Sequence, residues 1–116
     1  MAEDLSNKIY EAVELAKKTG KIRKGSNEVT KAIERGMAKP VVVAQDVSPR
    51  EVIMHLEPLC KEKNIPYVAV PSKEELGASA GLHVSTSAIA IVKEGDAKSI
   101  IDNISKQWKK KKKFNK

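Results

Sequence analysis

The sequence predicts an α/β protein: one domain in three layers, with helices on both faces of a small mixed sheet, an α/β/α sandwich. Three observations lead there. Short runs rich in β-branched residues alternate with stretches whose apolar residues recur at helical spacing. No internal repeat or linker divides the 116 residues, a length that suits one modest core. Apolar content is 41%, ordinary for a globular chain, and no apolar run is long enough to cross a bilayer.

The elements follow in order. Residues 4–18 place Ile9, Ala12, Val13 and Ala16 at i, i+3, i+4 and i+7, one buried stripe of a helix that Gly20 ends. "KIRKG" (21–25) reads as a short extended link, and residues 26–35 as a second helix that turns Val29, Ala32, Ile33 and Gly36 to one side. "PVVVAQDV" (40–47) is a nearly continuous β-branched run, the mark of a central strand covered on both faces. "SPRE" (48–51) has a capping serine, a proline at the first helical position and a glutamate three residues beyond the cap. It opens a helix with Val52, Ile53, Leu56 and Cys60 inward, which Pro58 should kink or break. "IPYVAV" (65–70) is a second strand, and "SKEE" (72–75) repeats the capping box before a short helix that stops at the glycines of "LGASAG". "STSAIAIV" (85–92) is a third strand, and "DAKSIIDNISKQW" (96–108) a closing helix with Ile100, Ile101 and Ile104 on one side. The domain therefore spans 1–108, and the lysine-rich tail, 109–116, lacks a core face and is expected to be disordered when free.

Charge is distributed unevenly. Lys and Arg outnumber Asp and Glu by 22 to 15, a net +7, yet residues 106–116 alone hold seven lysines and no acid. The other 105 residues carry 15 charges of each sign and are formally neutral. Within them, residues 17–39 hold eight cations and two glutamates, a local +6 that residues 1–16 and 40–105 cancel with −3 each. A basic pole on a neutral body points to an acidic partner met at one place.

Several chemistries lack their residues. One cysteine, Cys60, allows neither an internal disulfide nor a cysteine zinc cluster, and it reads as a small buried hydrophobe. His55 and His83 stand 28 residues apart without spaced partner ligands, so no metal is expected, and His55 should be satisfied locally on its own helix. Dinucleotide and phosphate-loop fingerprints are absent, which argues against a nucleotide cofactor. "GASAG" (77–81) matches G-x-S-x-G, which would make Ser79 a hydrolase nucleophile, but a helix enters it where the motif needs a strand. Trp108 either stacks on a base or anchors the closing helix, and the tail lysines are either a solvated run or a phosphate clamp. The start, "MAEDLSNKIYEAV", has acids where a secretory signal has bases, and the chain reads as cytoplasmic and free of membrane.

"KGSNEVTKAIERG" (24–36) holds the pole and, within it, an acid. At 100° per residue the apolar stripe leaves Asn27 and Lys31 opposite, with Glu28 about 60° from Lys31. Gly25 lets backbone come close to a partner, and the helix start offers unpaired N–H groups to phosphate. One reading is structural: Glu28 favoured by the helix dipole and paired with Lys31 at the surface. The other is chemical. Guanine's Watson–Crick edge has two donors beside one acceptor; a carboxylate accepts from the donors while an ammonium or amide serves the carbonyl. RNA opens such edges only outside ordinary pairs.

Residues 21–97 strongly resemble the archaeal ribosomal large-subunit protein family that binds kink-turn RNA, whose eukaryotic relatives include the kink-turn protein of spliceosomal and box C/D particles. Four motifs carry the likeness: "KGSNEVTKAIERG", "DVSP", "IPYVAVPSKEELG" and "AGLHVSTS". The resemblance implies an RNA-binding, non-enzymatic, cofactor-free protein that grips a sharply bent RNA at tandem sheared G·A pairs. By motif position, Gly25, Asn27, Glu28 and Lys31, with Ser26 among them, would read the guanines. Lys24 and Arg35 would contact backbone. Val52, Lys73 and the loop Leu82, His83, Val84 and Ser85 would hold the flipped-out nucleotide. The implied partners are rRNA, box C/D and H/ACA guide RNA, ribonuclease P RNA and the box C/D scaffold protein, with the chain acting as a monomer. A protein-interaction module that assembles such particles is the alternative within the same resemblance. Gln45 stands where archaeal members carry glutamate, and Ser48 where the spliceosomal relative has one near the flipped nucleotide.

Overall fold

The computed structural model describes residues 2–46 and 54–114, with the side chains of 7–46 and 54–106. Four strands form one mixed sheet in the order β1-β4-β2-β3, where β1 is Lys21–Lys24, β2 Val41–Ala44, β3 Tyr67–Val70 and β4 Ala88–Lys93. β2 and β3 run parallel, and β4 is antiparallel to both of its neighbours. Helix α1 (Ala2–Thr19) packs with α4 (Lys73–Ser79) and α5 (Lys98–Phe114) on one face, while α2 (Ser26–Glu34) packs with α3 (Leu56–Lys63) on the other. The expected three-layer sandwich is the observed one.

Burial explains the middle of the sheet. Val41, Val42, Val43 and Ala44 are at most 2% exposed, and the residues from Ala88 to Ile91 are wholly buried, so β2 and β4 have a helix layer on each side. α1 supplies Ile9, Ala12, Val13 and Ala16, the stripe predicted from spacing, and α2 supplies Val29, Ala32 and Ile33. Gly36 lies beyond α2 and is exposed. Ser72 caps α4 as its motif predicts, its hydroxyl accepting from the Glu75 N–H at 3.2 Å.

Two expectations change. "KIRKG" is not a link: residues 21–24 form edge strand β1 on β4, with Lys24 opposite Ile89. Only Ile22 of its four residues turns partly inward, which leaves no apolar alternation to read. α5 runs past the boundary at 108 to Phe114, so the lysine run expected to be disordered continues as helix. Lysine is a good helix former, and no Gly or Pro interrupts 98–114. The break expected at Pro58 is observed: Met54 is helical, His55 is a turn and α3 starts afresh at Leu56, which puts Pro58 in its first turn, where a missing N–H costs nothing because first-turn N–H groups have no intrahelical acceptor. The helix opening at "SPRE", with Val52 and Ile53, lies outside the described residues.

Cys60 is fully buried on α3, as its composition suggested. Burial, helped by the charge of Glu57, pushes its thiol up from the ordinary 9.0 to about 12. Because the thiolate is the reactive form, Cys60 should resist labelling by thiol reagents at pH 8 in the native protein and label fully in denaturant. The unfolded chain gives up this proton at lower pH than the folded one. Stability should therefore fall as pH rises from about 9 towards 12, read as a declining denaturant midpoint whose slope a Cys60→Ala variant reduces; the raised Tyr10 hydroxyl contributes the same sign and remains in that variant.

Candidate nucleic-acid interface

Strand register brings four separated segments to one end of the sheet. β1 and β2 are both antiparallel to β4, so their last residues come beside its first. Backbone bonds close the junction: the Gly25 N–H donates to the Ala88 carbonyl and the Ala44 N–H to the Ser87 carbonyl, each at 3.0 Å. β3 ends on the same side because it parallels β2, and the Val70 carbonyl accepts from the Gln45 N–H at 2.8 Å. The Asp46 carboxylate then accepts from the Lys73 N–H at 2.8 Å, at the start of α4, and the Lys73 carbonyl accepts from the Thr86 N–H at 3.2 Å. Residues 24–35, 45–46, 72–73 and 82–87 thus form one rim.

α2 presents the polar trio. Gly25 turns the chain out of β1 with φ +90 and ψ 150; a Cβ there would meet nothing within 4 Å, so the demand for glycine is conformational rather than steric. With no side-chain cap, the first-turn N–H groups of α2 lack a side-chain partner and form a positive end suited to an anion. Burial of Val29, Ala32 and Ile33 leaves Asn27, Glu28 and Lys31 exposed together. Lys31 Nζ lies 3.8 Å from Glu28 Oε2, with the two side chains 61% and 53% exposed. A surface pair of this kind contributes only about 0.2–0.5 kcal/mol, so either side chain takes a new partner at small cost.

Beside the trio lies an open hollow of about 210 Å³, lined by Arg23, Glu28, Lys31, Ala32, Arg35 and Met37. Arg35, the C-cap of α2, belongs to it, and so does Arg23, which the sequence does not single out. Its position follows from the pairing of β1 with β4, which the local pattern of residues 21–24 conceals. Lys24 ends the same strand and is exposed. Three cations and one carboxylate therefore share a wall.

The opposite side of the rim is the loop after α4. Leu82 is half-buried and packs on the core, its N–H donating to the Gly77 carbonyl at 2.9 Å, so it anchors the loop. His83, Val84 and Ser85 are exposed, Val84 by 70%. Lys73 is half-buried at the first position of α4, Ser26 is half-buried at the first position of α2, and Val52 lies outside the described residues. Ser79 is the last residue of α4, where its Oγ donates to the Glu75 carbonyl at 3.0 Å; no strand leads into it, and the nucleophile-elbow geometry is not built. The His55 ring reaches a second helix: its Nε2 lies 2.7 Å from Thr30 Oγ1 on α2, a partner 25 residues away in sequence.

Comparison with known proteins agrees with this architecture. Residues 7–101 match the model of the ribosomal protein L7Ae/L30e/S12e/Gadd45 family. Among solved structures, the Giardia lamblia 15.5kD RNA binding protein is similar at 30% sequence identity with a TM-score of 0.86, covering 91% of this chain and 88% of its own.

Gly77 links α4 to the loop. A Cβ there would collide with the Val84 carbonyl oxygen and stand 3.1 Å from Ser85 Cα. Glycine to alanine inside a helix ordinarily gains about 0.5–1 kcal/mol, whereas forcing atoms into a filled space costs about 1–3 kcal/mol. The collision with backbone should win, so Gly77→Ala should lower the melting temperature and shift the amide resonances of residues 83–85.

Proposed function

The chain belongs to the ribosomal protein L7Ae/L30e/S12e/Gadd45 family, and from that premise we propose that it binds RNA, selecting kink-turn motifs by the guanines of their tandem sheared G·A pairs. The observation that carries the reading is the pairing of exposed Glu28 with Lys31 beside the uncapped start of α2. A plain phosphate site gains nothing from a carboxylate. A guanine edge does, because Glu28 accepts from its two donors while Lys31 or Asn27 serves the carbonyl. Lys24, Arg23 and Arg35 supply contacts to the backbone, and the rim formed by Lys73 and residues 82–85 faces the bend. That the Giardia lamblia relative is described as RNA-binding supports the same partner class.

The mechanism is selection of a conformation. Free RNA samples extended and bent forms, and a protein with higher affinity for the bent one shifts the population towards it by its differential affinity alone. No bond is made or broken, and the role is a structural one in RNA–protein particles rather than an enzyme's. In the cytoplasm the same rim serves kink-turns in large-subunit rRNA, in box C/D and H/ACA guide RNAs and in ribonuclease P RNA.

Glu28→Ala tests the reading directly. A base-edge contact discriminates by about 1–3 kcal/mol on the scale of DNA recognition. In gel-shift titrations the variant should lose affinity of that order for a kink-turn RNA and almost none for a control with its G·A pairs replaced. Equal loss on both RNAs would refute guanine reading. The lysine run makes a separate, charge-based contribution. Truncating residues 109–116 should lessen the fall of log K with log salt by roughly 0.7–0.9 for each phosphate released, while the ratio of the two affinities stays the same.

A further inference from the structure

Thr30 stands one residue before Lys31 and is half-buried between helices. Its Oγ1 lies 2.7 Å from the Ser26 carbonyl and 2.7 Å from His55 Nε2. A hydroxyl has one proton and two lone pairs. If that proton goes to the Ser26 carbonyl, which has none to offer in return, the contact with the ring requires Nε2 to be the donor. The chain then runs in one direction: His55 Nε2–H to Thr30 Oγ1–H to the Ser26 oxygen. It starts at the N-cap of α3 and ends in the first turn of α2, where Asn27 and Glu28 stand.

We propose that His55 is a positioning residue: through Thr30 it fixes the first turn of α2 so that Glu28 and Lys31 meet the guanine edge in register. This rests on the kink-turn reading above and adds to it a residue outside the contact surface. α2 is otherwise held by the burial of Val29, Ala32 and Ile33 and, at its N-cap, by the Gly25 N–H bond to the Ala88 carbonyl; apolar burial is non-directional and the Gly25 bond precedes the first turn, so rotation of that turn meets less resistance than withdrawal of the helix. The glycine before α2 supplies no side-chain cap to oppose that rotation. A hydrogen bond is directional, and consecutive bonds strengthen one another by polarisation. Base-edge reading tolerates displacements of only about 0.5 Å, so a small rotation of the turn reduces discrimination before it affects folding.

The experiment compares His55→Phe, His55→Gln and Thr30→Val with the parent protein, on kink-turn RNA and the G·A-replaced control, with thermal unfolding recorded for each. His55→Phe and Thr30→Val should each reduce the ratio of the two affinities by roughly 3- to 10-fold, the scale of one hydrogen bond. Combined, they should lose little more than either alone. His55→Gln, whose amide nitrogen can donate from nearly the same place, should restore most of the ratio. Nitrogen NMR of the parent should show the proton on Nε2. A parent that prefers kink-turn RNA, with variants that keep its ratio or lower both affinities alike, overturns the positioning role alone, as does a ring protonated only on Nδ1. A parent with no preference overturns the kink-turn reading and this inference with it.

Discussion

The first residues of β4 hold the interface together. The Ala88 carbonyl takes the Gly25 N–H, and one residue earlier the Ser87 carbonyl takes the Ala44 N–H. Because β4 is antiparallel to both neighbours, these two bonds decide where α2 begins and where the 82–87 loop ends. Shifting β4 by one residue would turn its buried side chains to the other face and carry the loop away from Gly25. The buried run from Ala88 to Ile91 prevents that slip, since Ile89 and Ile91 occupy the core that any other register would empty. A hydrophobic constraint in the middle of the sheet thus sets the spacing of a polar surface at its end.

That arrangement separates stability from recognition. Little free energy of folding depends on Glu28 and Lys31, whose weak pair is mostly solvated. The side chains proposed to bind RNA face outward on turns whose inward residues, Val29, Ala32 and Ile33, do the holding. Such a surface can vary in detail without endangering the fold, and the fold can be shared by proteins that read different ligands.

Much of this was legible in the sequence, for identifiable reasons. β2 and β4 declare themselves because a strand buried on both faces is a run of apolar residues. α4 does so through Ser72 and Glu75, whose reciprocal positions mark a helix start at short range. The trio on α2 follows from angular spacing alone. β1 was illegible, since three of its four residues are charged and its strand geometry comes from a partner about 70 residues away. The bond from His55 to Thr30 was hidden for the same reason: it depends on how α3 lies against α2, which no local pattern encodes. The end of α5 was misjudged because lack of a core face was read as lack of structure, although lysine extends a helix readily.

β1 has one more consequence, for the protein when it is alone. An edge strand exposes a row of unpaired backbone groups, and a second copy could extend the sheet by pairing there. Lys21, Arg23 and Lys24 make that encounter repulsive, because an antiparallel dimer across this edge would bring cation against cation with no acid between. Two of these cations, Arg23 and Lys24, also give the rim its positive charge, so the same side chains act against pairing at this edge.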